Sequence, residues 1–178
     1  CHGIEGIKLC VKTGVRSIEH ATYIDKECVD LILALGNRSF LVPTFAVVWA
    51  IRDGIVDDIP GEVRDKIAVV ASQCLKNLKY AFDRGVRLGF GTDIDQAAFD
   101  RAPFLEFIAR REMGLDNLTL LRQATIGSAE LIGLESRTGT VKEGKDADLI
   151  VLCGKPDEVF EDLIQKPLMV FARGRRFY

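Results

Sequence analysis

The chain is poor in histidine: only His2 and His20 occur in 178 residues. Its five cysteines, Cys1, Cys10, Cys28, Cys74 and Cys153, are widely spaced and odd in number, and no C-x-x-C pair is present. This excludes a zinc knuckle and a thioredoxin-like site and offers no disulfide framework. The expectation is buried thiols in a reducing, cytoplasmic compartment. No apolar run approaches the ~20 residues of a membrane span. Neither sign of charge dominates, with 24 Lys and Arg against 26 Asp and Glu, so no basic face for nucleic acid is expected. G-x-G-x-x-G, a complete P-loop and G-x-S-x-G are all missing, which leaves nucleotide binding and a serine nucleophile without support. The chain begins Cys-His-Gly, without an initiator Met or a signal peptide. It reads as if entered partway through a strand-to-helix turn.

What is present is an ordinary globular composition, 48% hydrophobic and 28% charged, enough for a sizeable core. Ile4, Ile7, Leu9 and Val11 mark a short helix over residues 3–13, with Gly14 as its C-cap. Residues 15–20 read as a strand. Asp25 caps a second helix that runs through Cys28, Val29 and Ile32 to Gly36. Residues 40–44 read as a buried strand ended by Pro43. The acid-rich stretch 53–60 is a loop or lid, and 62–84 a long amphipathic helix. Residues 86–91 form a third strand, and helices follow over 103–113 and 117–126. Alternating short strands and helices predict a parallel α/β sheet or barrel. From about Arg137 the rhythm becomes turn-rich, with strands at 148–152 and 167–172, and residues 136–178 read as part of a small all-β module beside an α/β unit over 1–135.

Two polar residues stand where chemistry is placed in such folds, at the C-terminal ends of strands. His20 follows Ser17-Ile18-Glu19, and Asp93 follows Leu88-Gly89-Phe90-Gly91-Thr92. Imidazole nitrogen and carboxylate oxygen can share one metal ion, zinc being well suited to that pair. The plainer alternatives are a hydrogen-bonded polar His20 and an Asp93 or Thr92 that caps a helix. Thr44 and Phe45 end the middle strand; Thr44 suits either a pocket or a capping role. Arg173, Arg175 and Arg176 read as a solvated strand end.

Five segments occur in a particular order: Gly14 to His20, Val42-Pro43-Thr44, Gly89-Phe90-Gly91-Thr92-Asp93, Thr125 to Leu134, and Gly139 to Leu152. Together they cover essentially the whole chain and resemble the C-terminal half of a metal-dependent amidohydrolase. The likeness is greatest to the imidazolonepropionase-like branch that includes Xaa-Pro dipeptidases. The resemblance implies the C-terminal half of a (β/α)8 TIM-type barrel, followed by strands of a composite β-sandwich. It implies that His20 ends strand six and binds metal. It implies that Asp93 ends strand eight as metal ligand and proton carrier, with one or two divalent ions in an intact enzyme. Related chains carry His-x-His-Gly after strand five, so His2 is expected to line the substrate pocket, with direct ligation or a plain turn role as alternatives. Asp95 and Gln96 lie on the loop that faces substrate in this branch.

The His-x-His of strand one and the carboxylated Lys or Glu of strand four have no counterpart here. A full barrel needs ~250 residues, and a half barrel exposes edges and an inner apolar face. A second copy or a missing N-terminal half is the partner such a piece would need. The expected activity is hydrolysis of a C–N bond in a dipeptide or other small amide, cyclic amides included. A catalytically silent assembly and a deaminase of the same superfamily are the competing expectations.

Overall fold

The computed structural model describes residues 1–178. The chain is α/β and forms no closed barrel. It divides into two compact units, Cys1–Gly114 and Leu115–Tyr178. No helix is long and apolar enough to cross a membrane.

In the first unit the order is α1 (Ile4–Thr13), β1 (Ser17–Glu19), α2 (Lys26–Ala34), β2 (Phe40–Val42), α3 (Phe45–Arg52), α4 (Gly61–Asp83), α5 (Gln96–Arg101) and α6 (Leu105–Glu112). Helix α1 stops at Gly14, whose φ of 74° is open to glycine and strained for other residues. Helix α2 starts at Asp25, whose carboxylate accepts the Cys28 N–H at 2.8 Å. Strands β1 and β2 pair in parallel, Ser17 opposite Phe40 and Glu19 opposite Val42. Ile18 and Leu41 are buried beside each other in this pairing.

The third strand expected over 86–91 is not formed as a strand. It contracts to one parallel bridge, Leu41 to Leu88, made by Leu41 N–H to Arg87 O (2.9 Å) and Gly89 N–H to Leu41 O (2.8 Å). Two glycines within three residues weaken a strand, since they supply no side chain to pack. Helices α3 and α5 were not anticipated. Helix α3 is almost wholly apolar and buries Phe45, Ala46, Trp49 and Ala50, so it lacks the polar face that marks a helix in sequence. Strand residues Phe40, Leu41 and Val42 are all buried, and the Arg87 guanidinium lies 4.1 Å from the Phe40 ring centre.

The second unit holds α7 (Asn117–Arg122), a single π turn (Gln123–Gly127), α8 (Ser128–Leu131), β3 (Leu149–Val151), α9 (Phe160–Leu163), β4 (Met169–Ala172) and β5 (Arg175–Arg176). The sheet is antiparallel in the order β3-β4-β5. Ser128 Oγ donates to Gln123 O at 2.7 Å across the π turn, where the expected helix over 117–126 changes its hydrogen-bond register.

Candidate active site

Three consecutive strand positions end in a residue with left-handed backbone. His20 follows β1 with φ 68°, Thr44 follows β2 and Pro43 with φ 52°, and Asp93 follows the Leu88 bridge with φ 55°. Such conformations cost non-glycine residues about 1–3 kcal/mol each and collect at functional sites. The main chain holds them at one end of the parallel pair. His20 N–H donates to Val42 O at 2.8 Å. The chain from Cys1 runs beside β1: the Cys1 amine donates to Glu19 O at 2.9 Å, while Ala21 and Tyr23 donate to the carbonyls of Cys1 and His2. Gly91 gives the last segment its close approach, since a Cβ there would stand 2.8 Å from Val42 Cγ1.

The side chains meet accordingly. His20 Nδ1 lies 2.7 Å from Thr44 Oγ1 and 3.9 Å from Asp93 Oδ2. Thr44 Oγ1 also lies 2.7 Å from the Pro43 carbonyl. A carbonyl only accepts and a hydroxyl has one proton, so Thr44 donates to Pro43 O and accepts from His20 Nδ1–H. The network thereby assigns the tautomer, leaving Nε2 of a neutral His20 with its lone pair. Burial pushes the His20 pKa below its ordinary 6.5, and the neighbouring His2 and the chain's amino terminus push the same way, against Asp93 and Glu19. His2 stacks on His20 with ring centroids 4.5 Å apart, and its Nδ1 is 2.9 Å from Thr22 Oγ1.

The structure therefore brings together His2, His20 and Asp93. It places Asp95 and Gln96 on the first turn of α5. Asp95 is the N-cap, its Oδ1 accepting Ala98 N–H at 2.8 Å, and Gln96 Nε2 donates to Asp100 at 2.7 Å. Because Asp95 caps α5, Asp93 is released from the capping role weighed for it. Thr44 occupies the N-cap position of α3 but makes no capping bond with its side chain; its hydroxyl serves His20 instead. Sequence reasoning passed over Thr22 and Glu106. Thr22 sits two residues past His20, and that proximity was a usable signal; Glu106 offered none, being one acidic residue on a helix of mixed charge.

The donor types suit a zinc or similar divalent site, with neutral imidazole beside carboxylate. They supply two ligand positions, whereas catalytic zinc ordinarily takes three protein ligands, and nowhere in the chain do three or more His, Cys, Asp or Glu side chains stand so that they could hold one metal ion.

Residues 1–176 match the amidohydrolase family. The chain belongs to that family. Among curated relatives of this amidohydrolase, the ochratoxinase of Aspergillus niger is 29% identical over 170 residues, which cover 95% of this chain and 34% of that one. The imidazolonepropionase of Thermoplasma acidophilum is 27% identical over 165 residues, 91% of this chain and 35% of its own. Among solved structures, a Xaa-Pro dipeptidase with methionine bound in its active site superposes with a TM-score of 0.84 at 32% identity, covering 99% of this chain and 43% of the other. The amidohydrolase chain thus spans about a third of the length of the curated relatives it matches.

Proposed function

We propose that this chain carries the His20–Asp93 part of an active site that hydrolyses a C–N bond in a small amide or dipeptide. The observation that carries the reading is the 3.9 Å approach of Asp93 Oδ2 to His20 Nδ1, at the ends of the two parallel segments that flank β2. Membership of the family supports the reaction class, and the likeness to a Xaa-Pro dipeptidase and an imidazolonepropionase makes dipeptides and cyclic amides the first substrates to test.

His20 and Asp93 would hold a divalent metal, zinc by the donor set. When bound, such an ion lowers the pKa of water to about 7 and polarises a carbonyl. The protein's own part is as follows. Thr44 holds the His20 ring in one tautomer. Asp93 has a side chain 57% exposed, so its carboxylate is open to an incoming water. It takes the water proton as oxygen adds to the carbonyl carbon, and returns it to the nitrogen as the C–N bond breaks. One water is consumed, and a carboxylic acid and an amine leave. His2 walls the pocket through its stack on His20. Asp95 and Gln96 shape the rim as parts of α5.

His20 and Asp93 supply two ligands, and in this reading a third comes from a second copy or from an N-terminal half that pairs with this chain. The test is metal analysis of the purified chain together with product analysis on Xaa-Pro dipeptides, N-acyl amino acids and cyclic amides. Stoichiometric zinc and amide cleavage, both lost in Asp93→Asn, support the reading. Release of ammonia from amine-bearing rings would make the protein a deaminase. Absence of both metal and turnover in a stable oligomer would leave a silent assembly.

A further inference from the structure

Helix α6 carries an ion pair in the core. Glu106 is 1% and Arg110 0% exposed, and Arg110 Nε donates to Glu106 Oε1 at 2.7 Å. Burying both charges is costly and is seldom retained for stability alone, since apolar residues of similar volume often serve as well. The position of the pair relative to the site gives it another use. Glu106 Oε2 accepts the Ala46 N–H at 2.9 Å, and the Phe45 N–H also bonds to this carboxylate. These are the first two free donors of α3, and the second, that of Ala46, is one an N-cap side chain ordinarily accepts. The N-cap is Thr44, whose hydroxyl is committed to His20 and to Pro43 O. A carboxylate from α6 thus takes over the capping of α3, and the threonine is free to hold the histidine. Burial drives the Glu106 pKa upward, and the Arg110 guanidinium opposes that. Arg110 also donates to Gly89 O at 2.6 Å and lies over the Phe90 ring, in the segment that leads to Asp93.

We propose that Glu106, paired with Arg110, is a positioning residue for the candidate site: by capping α3 in place of Thr44 it leaves the Thr44 hydroxyl to fix the His20 tautomer. Without that acceptor, Thr44 turns to the bare N–H groups of α3, and His20 Nδ1 loses its partner. The functional meaning rests on the reading of His20 as a site residue, but the structural coupling does not.

The experiment uses the whole chain and reads the ring nitrogens of His20 by 15N NMR at one neutral pH, with folding followed by circular dichroism. Two double variants remove the buried charges together. E106Q/R110M keeps a neutral acceptor for the α3 N–H groups, and E106L/R110M keeps none. The expected result is that both fold, that E106Q/R110M retains the Nδ1-protonated signature of the unaltered chain, and that E106L/R110M loses the Nδ1–H resonance to the solvent-averaged pattern. A folded E106L/R110M with the His20 signature intact overturns the proposal. So does failure of both variants to fold, because the pair would then be a folding element with no separable positioning role. Metal binding and turnover do not enter the readout, so failure of the hydrolase reading and failure of this one are told apart.

Discussion

The ring of His2 lies flat on the ring of His20, with centroids 4.5 Å apart and planes 7° from parallel. Each imidazole is anchored through Nδ1 to a threonine, His2 to Thr22 and His20 to Thr44. His2 thus packs face to face against the ring of His20.

His2→Ala removes that support and is expected to lower zinc affinity about 10- to 100-fold, the usual cost of losing an outer partner of a ligand. His2→Phe keeps a flat ring and retains most of the affinity. Competition against a chromophoric chelator measures both. Equal loss in the two variants would make His2 a direct ligand.

Gly91→Ala places a methyl group 2.8 Å from Val42 Cγ1. Overpacking of this kind costs about 1–3 kcal/mol. Val42→Ala destabilises by itself but removes the clashing methyl, so the double variant is expected to be more stable than the sum of the singles by at least about 1 kcal/mol. Urea unfolding of the four proteins closes the cycle; strict additivity contradicts the contact.

Asp25 is held below its ordinary value of 3.8 chiefly by the backbone N–H of Cys28. The folded carboxyl binds its proton less readily than the unfolded one, so its contribution is complete above pH ~4 and is lost as pH falls through the lower folded value. Asp25→Ala is expected to cost about 1 kcal/mol at pH 7 and to converge with the unaltered chain in acid. Denaturant titrations at pH 7 and in acid test this; a pH-independent gap would remove the cap from the account.

Arg101 ties the 53–60 loop to α5. Its guanidinium meets both oxygens of Asp57, the closer at 2.7 Å, and donates to Ile55 O at 2.7 Å. Arg101→Ala is expected to speed proteolytic cleavage within residues 53–60 several-fold while leaving the thermal midpoint nearly unmoved, because exposed pairs add little to global stability. Cleavage at an unchanged rate would show that the loop is held by other contacts.

Much of the first unit was legible in sequence because its signals are local. Gly14 and Asp25 cap the helices where their chemistry predicts, and the apolar spacing of residues 62–84 gives α4 within a residue of its observed span. Helix α3 was missed because a segment that is apolar on nearly every position shows no period. The 86–91 strand shrank to a bridge because its pairing depends on Leu41, a partner more than forty residues away.

What the sequence determined alone is the placement of caps and turns, the order of the family segments, and the presence of one histidine and one aspartate just past strand-like runs. Tertiary structure alone decided that His20, Thr44 and Asp93 share one end of the sheet, that Thr44 serves a histidine in place of its own helix, and that Glu106 takes over the cap from inside the core. The reason is physical: a cap is set by groups a few residues apart, whereas these contacts join segments brought together only when the strands pair and α6 packs against α3.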